Sequence, residues 1–534
     1  MQFILRKFLL VAAAMTIAAA SFAQTHKTLI FCSEASPAGF DPGQYTTGTD
    51  FDAAAETVFN RLVQFRRGGT SIEPALAERW KISSDGRVYT FSLRKGVQFH
   101  TTPYFKPTRD FNADDVVFTF KRMHDPQHPF RKAYPAEFPY FVDMGLDKNI
   151  ESVEKVDPLT VRFVLRKVDV AFLQDLAMSF ASIQSAEYAE QLLKQGKAFL
   201  INQQPVGTGP FIFRRYQKDA QIRFVGNKTY WRPSEVKVDN LVFAITVDPS
   251  TRIQKLKAGE CQIMVNPRPA DLPALKADRK LKVMSQAGFN LAYLAYNVQH
   301  PYLSQLAVRQ ALDMAINKPA ILQAIYQGSG QLASNAMPPT QWSFNKKIKD
   351  EPYNVEKARQ LLAKAGVPKG FELSLWAMHV QRPYNPNAKL MAEMIQSDWA
   401  KIGVVVKIVS YEWGEYIKRA KKGEHDTILI GWTGDNGDPD NWLGTLYSCE
   451  AINGNNYSNW CYAPFEKLIQ QASRTTDIAE RTKLYMTAQE IIKQQLPITP
   501  IAYSTVNQPM LTTVEGFKVS PFGTNAFYGV DIKQ

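Results

Sequence analysis

Short apolar–polar alternations dominate the first half of the chain. Thr28-Leu-Ile-Phe-Cys32 predicts a strand, and Ser33 to Pro42 has the Ser, Pro and Gly content of a loop. Phe51 to Phe65 predicts a helix. Asp85-Gly86 between two apolar alternations predicts a hairpin. Asn112-Ala-Asp-Asp-Val116 predicts a helix start capped by Asn112 or Asp114. Residues 151–166 and 211–246 alternate β-branched and aromatic positions as strands do, whereas 185–199 and 251–259 predict helices.

From Leu291 the pattern lengthens into strand–helix alternation. Strands are predicted at 291–297, 373–380 and 404–409, and helices at 308–315, 355–365 (ended by Gly366) and 387–401. The run Thr427-Ile-Leu-Ile430 is apolar enough to be buried. This alternation predicts a mainly parallel sheet, whose ligands lie beyond the carboxyl ends of its strands. Arg382 and Asp435 each follow such a strand.

The loop Gly431-Trp-Thr-Gly-Asp-Asn-Gly-Asp-Pro-Asp-Asn441 brings free backbone groups, an aromatic ring and a carboxylate to one strand end. The turn Gln381-Arg-Pro-Tyr-Asn385 brings a guanidinium. Asp435 and Arg382 are therefore candidate poles of a site for a small zwitterion, since each charge-assisted hydrogen bond contributes roughly 1.5–3 kcal/mol. Arg suits a carboxylate because its planar fork binds both oxygens. A calcium loop at Asp435, Asp438 and Asp440 is disfavoured, because Gly437 takes a ligand place and Pro439 follows. Gly207-Thr-Gly-Pro210 lacks the third glycine of a dinucleotide loop and is expected to be a rigid turn between domains. No nucleophile elbow or His-Glu-x-x-His is present, so no catalytic residue, metal or cofactor is expected; the rival of another class is an exported peptidase. His379, three residues before Arg382, is weighed as an ordinary residue against a haem ligand or pH-sensitive contact.

With 534 residues, 45% of them hydrophobic, two or more domains are expected. The net charge of +13 becomes +11 without Arg6 and Lys7. Its cations are scattered among acids, as in Lys418–Glu424, which fits a solvated basic surface better than a nucleic-acid face. Met1–Ala23 has the basic start, apolar core and small-residue end of a cleaved secretory signal, with the mature chain expected from Gln24. The first cysteine is Cys32, which argues against a lipoprotein. Four cysteines in an exported chain suit two disulfides, with three connectivities open, and the Cys449-x11-Cys461 spacing suggests a local clamp.

Pro74-Ala-Leu-Ala-Glu-Arg-Trp80, Asp85-Gly86, Tyr89-Thr-Phe91, Phe99-His100 and Asn112-Ala-Asp-Asp-Val116 together resemble the extracytoplasmic peptide-binding components of ABC importers, solute-binding protein family 5. Pro205-Val-Gly-Thr-Gly-Pro-Phe211, Tyr230-Trp231, Val308-Arg-Gln-Ala-Leu312 and Tyr353-Asn354 extend the resemblance over essentially all of the mature chain. The similarity is greatest to the dipeptide binders and their haem- and glutathione-binding relatives. It implies an α/β, bilobal periplasmic-binding-protein fold of the three-domain type: domain I from 24–60, 209–287 and 506–534, an inserted domain II at 61–208, and domain III at 288–505. The chain is expected to cross between lobes near Gly288 and Ser504. By resemblance, Asp435 holds a peptide amine and the turn Arg382-Pro383-Tyr384 the carboxylate. Backbone groups of Trp432, Thr433 and Gly434 are expected to meet the ligand, with Thr46 across the cleft. The expected disulfides are Cys32–Cys261 and Cys449–Cys461. The implied partners are dipeptides and an inner-membrane permease, with haem or glutathione as the alternative ligand, no nucleic acid, and a periplasmic monomer.

Overall fold

The computed structural model describes residues 27–411 and 413–533, so the expected signal sequence lies outside the described residues. Its largest element is one mixed sheet of twelve strands: β1 Thr28–Ser33, β2 Phe211–Gln217, β3 Gln221–Gly226, β4 Asn240–Ile245, β5 Ile263–Met264, β6 Leu281–Ala287, β7 Asn290–Tyr296, β8 Gly330–Leu332, β9 Glu372–Trp376, β10 Val405–Val409, β11 Thr427–Thr433 and β12 Ile498–Leu511. The order is β10-β9-β11-β7-β12-β5-β1-β4-β3-β2, with β6 and β8 also paired to β12. A separate four-stranded antiparallel sheet contains the hairpin Ala77–Ile82 and Val88–Leu93, turned at Gly86 with φ 72° as its Asp-Gly pair predicts.

The expectation of a mainly parallel sheet is corrected. Only β9 with β10 and β11, and β1 with β4 and β5, run parallel. β7 and the long β12 run antiparallel to their neighbours, because β12 returns the chain through the middle of the sheet. A second correction concerns 51–65. The helix there is only Gly48–Ala53, followed by turns and a strand at Val63–Phe65. The apolar residues that suggested a longer helix, Ala54, Val58 and Phe59, are buried on every side. Gly207 and Gly209 lie against the Val58 backbone, where a Cβ on Gly207 would sit 2.0 Å from the Val58 carbonyl oxygen. Tertiary packing thus overrides the local helical pattern.

Apolar side chains collect in separate cores. One holds residues from Leu62 to Val206, a second and third flank the β7–β11 half of the large sheet, and a fourth joins Leu29–Phe59 to Phe211–Val265 and Met510–Val530. β7 is buried at every residue because it has a core on each face: Leu291, Tyr293 and Ala295 pack on one, Leu294 and Tyr296 on the other. Helix starts are set locally, with Asn112 closing a capping box and Asn387 accepting from the Leu390 amide.

Two strand segments carry the chain between these halves. β6 pairs with Thr505–Leu511 of β12, and β7 pairs with the Ile498–Ala502 portion. Between them the Gly288 amide donates to the Ser504 carbonyl at 3.0 Å. Both expected disulfides are present, Cys32–Cys261 beside β1 and β5, and Cys449–Cys461 within one loop.

Candidate functional site

β9 and β11 are parallel neighbours, aligned at Leu375–Thr427 and Trp376–Ile428, so their following loops leave the same edge of the sheet. That edge carries both predicted poles. After β9, Arg382 and Asn385 exchange backbone hydrogen bonds at 3.0 Å, closing a tight turn with Pro383 and Tyr384 at its tip. The turn is fastened from below: Ser504 Oγ donates to the Pro383 carbonyl at 2.8 Å, and the Tyr326 hydroxyl to the Tyr384 carbonyl at 2.7 Å. The buried Tyr384 ring lies on Gly431, where an added Cβ would come within 2.3 Å of it. Gly431 is therefore required by close approach rather than by backbone angle.

The Arg382 guanidinium sits 4.0 Å from the Trp413 ring centroid. This cation–π contact and a side-chain hydrogen bond to Tyr384 hold the guanidinium in place. Among the described residues no carboxylate forms an ion pair with it.

Two residues past β11, Asp435 meets the reverse situation. Tyr140, on the helix Pro139–Asp143 of the Leu62–Val206 core, donates its hydroxyl to Asp435 Oδ1 at 2.7 Å. Asn441 Nδ2 donates to Oδ2 at 3.3 Å, while Asn441 Oδ1 accepts from the Asp435 amide at 2.9 Å and the Trp432 indole at 3.1 Å. Burial raises the Asp435 carboxyl to about 6; the Tyr140 and Asn441 hydrogen bonds oppose this, and nearby Asp143 adds to it. No described cation pairs with Asp435.

The backbone edge differs from expectation. The Gly434 amide donates to the Phe289 carbonyl at 2.8 Å, and the register pairs Trp432 with Leu291 and Thr433 with Asn290. Alternate residues of an antiparallel ladder face the partner. The Gly434 amide is thus used on Phe289 and, by the same alternation, the Trp432 groups face β7, whereas Thr433 and Gly431 turn away from it. Thr46 is exposed in the loop before the helix Gly48–Ala53. Phe51 of that helix lies 6.0 Å from the Tyr140 ring, centroid to centroid.

Tyr140, Trp413 and Asn441 belong to this arrangement and were not singled out in the sequence. Asn441 carried a signal in its polar character at the loop's end, where it is the second residue of the helix Asp440–Tyr447. Tyr140 carried none, because its partner is 295 residues away. His379 is exposed and its Nδ1 lies 2.8 Å from the Tyr411 carbonyl oxygen. Asp438 is buried against Arg481 at 2.8 Å and belongs to the loop's framework.

Residues 71–454 match the model of bacterial extracellular solute-binding proteins, family 5. The chain belongs to this family. It is 71% identical over 504 residues to di/tripeptide-binding protein 1 of Pseudomonas aeruginosa (strain UCBPP-PA14), covering 94% of each chain. Heme-binding protein A of Haemophilus influenzae is 48% identical over 508 residues, covering 95% of this chain and 93% of that one. Among solved structures, a dipeptide-binding protein from Pseudoalteromonas sp. SM9913 in complex with Met-Leu superposes with a TM-score of 0.83 at 41% identity, covering 95% of this chain and 100% of that chain. The extracytoplasmic family places the fold among the three-domain α/β binding proteins, and no described helix is long and apolar enough to cross a membrane.

Proposed function

We propose that the protein captures dipeptides in the periplasm and delivers them to an inner-membrane ABC permease. The observation that carries this reading is the complementary pair at one sheet edge: among the described residues, a carboxylate without a paired cation at Asp435 and a guanidinium over Trp413 without a paired carboxylate at Arg382. A dipeptide supplies the missing ammonium and carboxylate at a separation fixed by its backbone. Gly431 and Thr433 offer main-chain groups that read the peptide without reading side chains. Thr46, Pro383 and Tyr384 complete the walls, with Tyr384 acting by fixing the Arg382 turn.

In this reading residues 1–23 are removed on export, 24–60, 209–287 and 506–534 form domain I, 61–208 form domain II and 288–505 form domain III. Domains I and II close on domain III about the β6–β7 and β12 crossings, and the ligand favours the closed form by touching both sides. The protein acts as a monomer, binds no nucleic acid and performs no chemistry on its ligand. Native mass spectrometry of the mature protein with co-purified ligand tests the assignment: a dipeptide mass supports it, and a haem mass with a Soret band replaces it. Haem is the second reading because of the similarity to heme-binding protein A, with glutathione behind it.

A further inference from the structure

Beside the peptide site, the two sides of the cleft meet again at a seam made largely of acids. Asn436 Nδ2, from the β11 loop, donates to Asp175 Oδ1 at 2.7 Å, and both side chains are buried. Asp175 lies in the short helix Phe172–Ala177 of the Leu62–Val206 core, and Asp169 lies just before that helix. From the other side come Asp438 and Asp440, the latter opening the helix Asp440–Tyr447.

The cations facing this seam are few. Arg481 Nη2 binds both oxygens of Asp438 at 2.8 and 2.9 Å and contacts the Tyr485 hydroxyl at 3.1 Å. Lys167 faces Asp169 but is exposed. The remaining neighbours are neutral: Tyr89 beside Asp169 and Asp175, Asn149 and the Ala171 amide on Asp169, and Tyr485 beside Asp440. Arg481 is paired with Asp438 and also faces Asp440, so two cations, one of them solvated, meet four carboxyl groups.

We propose that closing the cleft takes up protons at the seam of Asp169 and Asp175 against Asp438 and Asp440, so that ligand capture tightens as pH falls from mildly alkaline to neutral. The regulation concerns the site assigned above and, for its dipeptide arm, rests on that assignment. Burial is the main cause that raises Asp169, Asp175 and Asp440, and the neighbouring carboxylates add to it; Asp440 reaches about 7. Opening returns water to the seam and parts Asp175 from Asp438 and Asp440, which lowers these groups toward the ordinary carboxylate range. A group that binds its proton more tightly in the closed form favours closure below its closed-state value and loses that advantage as pH rises through it. From Asp440 alone, the closed-to-open ratio rises about fourfold between pH 8.5 and 6.5.

The test measures closure without ligand, by energy transfer between dyes on two exposed positions on opposite sides, Ile82→Cys and Ile478→Cys, in the oxidised protein. The closed-to-open ratio is expected to rise at least about fourfold from pH 8.5 to 6.5. Asp175→Asn and Asp440→Asn mimic the protonated groups in nearly the same shape; each is expected to flatten that response and raise the closed fraction at pH 8.5, with thermal unfolding confirming that each is folded. An equal ratio at both pH values in the parent protein, including no closed form at either, overturns the proposal, as does an undiminished response in both folded variants. Dipeptide titrations at the same two pH values separate the two readings. If the ratio moves and no dipeptide binds, the seam stands and the dipeptide assignment falls.

Discussion

The Tyr140 hydroxyl and the Asp435 carboxylate meet at 2.7 Å across the cleft, although 295 residues separate them. Tyr140 belongs to the Leu62–Val206 side, Asp435 to the β7–β11 side. The bond therefore links the group assigned to the peptide amine with the opposing lobe. Burial and the adjacent Asp435 charge push the Tyr140 phenol well above its ordinary value, so it remains a donor throughout the working pH range. One oxygen of Asp435 is thereby oriented when the two sides are together, and the Asn441 amide group, from the same loop, steadies the other.

Asp435→Ala is expected to weaken dipeptide binding by roughly 2–5 kcal/mol, as removal of one partner of a desolvated charge pair does. Calorimetry with a dipeptide and its des-amino analogue checks the assignment. The variant should bind both equally poorly, and unchanged affinity for the dipeptide would remove Asp435 from the amine site.

The same carboxyl gives a pH dependence. With Tyr140 on it and no ligand present, burial holds the Asp435 carboxyl at about 6, and a bound ammonium lowers it. Binding therefore draws on a group that must be ionised: the Asp435 contribution to affinity is level above about pH 7 and falls as pH drops through 6, by about tenfold at pH 5. Tyr140→Phe removes a hydrogen bond that lowers the carboxyl, so the decline should begin at higher pH. Affinity profiles from pH 5 to 8 in the two proteins check this, and superimposable profiles would contradict it.

Arg382→Ala is expected to lose affinity for a free dipeptide but to lose little more when the ligand's carboxylate is amidated. The double-mutant logic isolates the pair, because ligand amidation and Arg382 truncation remove the same contact. Equal losses on amidation in both proteins would reject Arg382 as the carboxylate partner.

The placement of Arg382 and Asp435 at one sheet edge was legible in the sequence, because each follows an apolar run and sits among turn residues that cannot extend the strand. What surrounds them was not. Trp413 under Arg382 and Tyr140 on Asp435 are contacts between distant segments, and no local pattern announces them. The parallel pairing of β9 with β10 and β11 followed from strand–helix alternation, whereas the antiparallel β12 that divides the sheet did not, since nothing local says where a returning strand inserts. The overextended helix at 51–65 failed for a related reason: its apolar positions satisfy tertiary contacts on all sides instead of one helical face. Likewise ladder alternation turns the Trp432 backbone groups to β7 and the Gly434 amide to Phe289, which no local pattern shows.

The Cys32–Cys261 bond offers a separation of stability from binding. It spans a sequence separation of 229 residues and ties β1 to the segment entering β5, within a small apolar cluster with Leu256, Met264, Leu275 and Leu281 and away from the β9–β11 edge. A paired Cys32→Ser and Cys261→Ser variant is expected to lose roughly 2–5 kcal/mol of stability, because the unfolded chain regains the freedom of a long loop. Its dipeptide affinity at a temperature where it remains folded should match the parent protein's. Denaturant unfolding followed by calorimetry on the same preparation checks both halves.

Gly431→Ala tests whether the Arg382 turn depends on β11. The added methyl would come within 2.3 Å of the Tyr384 ring and 2.5 Å of the Leu291 carbonyl oxygen. The Leu291 side belongs to the sheet ladder and resists movement, so relief must come from Tyr384, carrying Pro383 and Arg382 with it. Overpacking of this kind costs about 1–3 kcal/mol of stability. The expected signature is a larger affinity loss for a free dipeptide than for its amide, since the displaced guanidinium no longer meets the carboxylate. Equal losses for the two ligands would mean that the turn keeps its place and that the methyl acts only on stability.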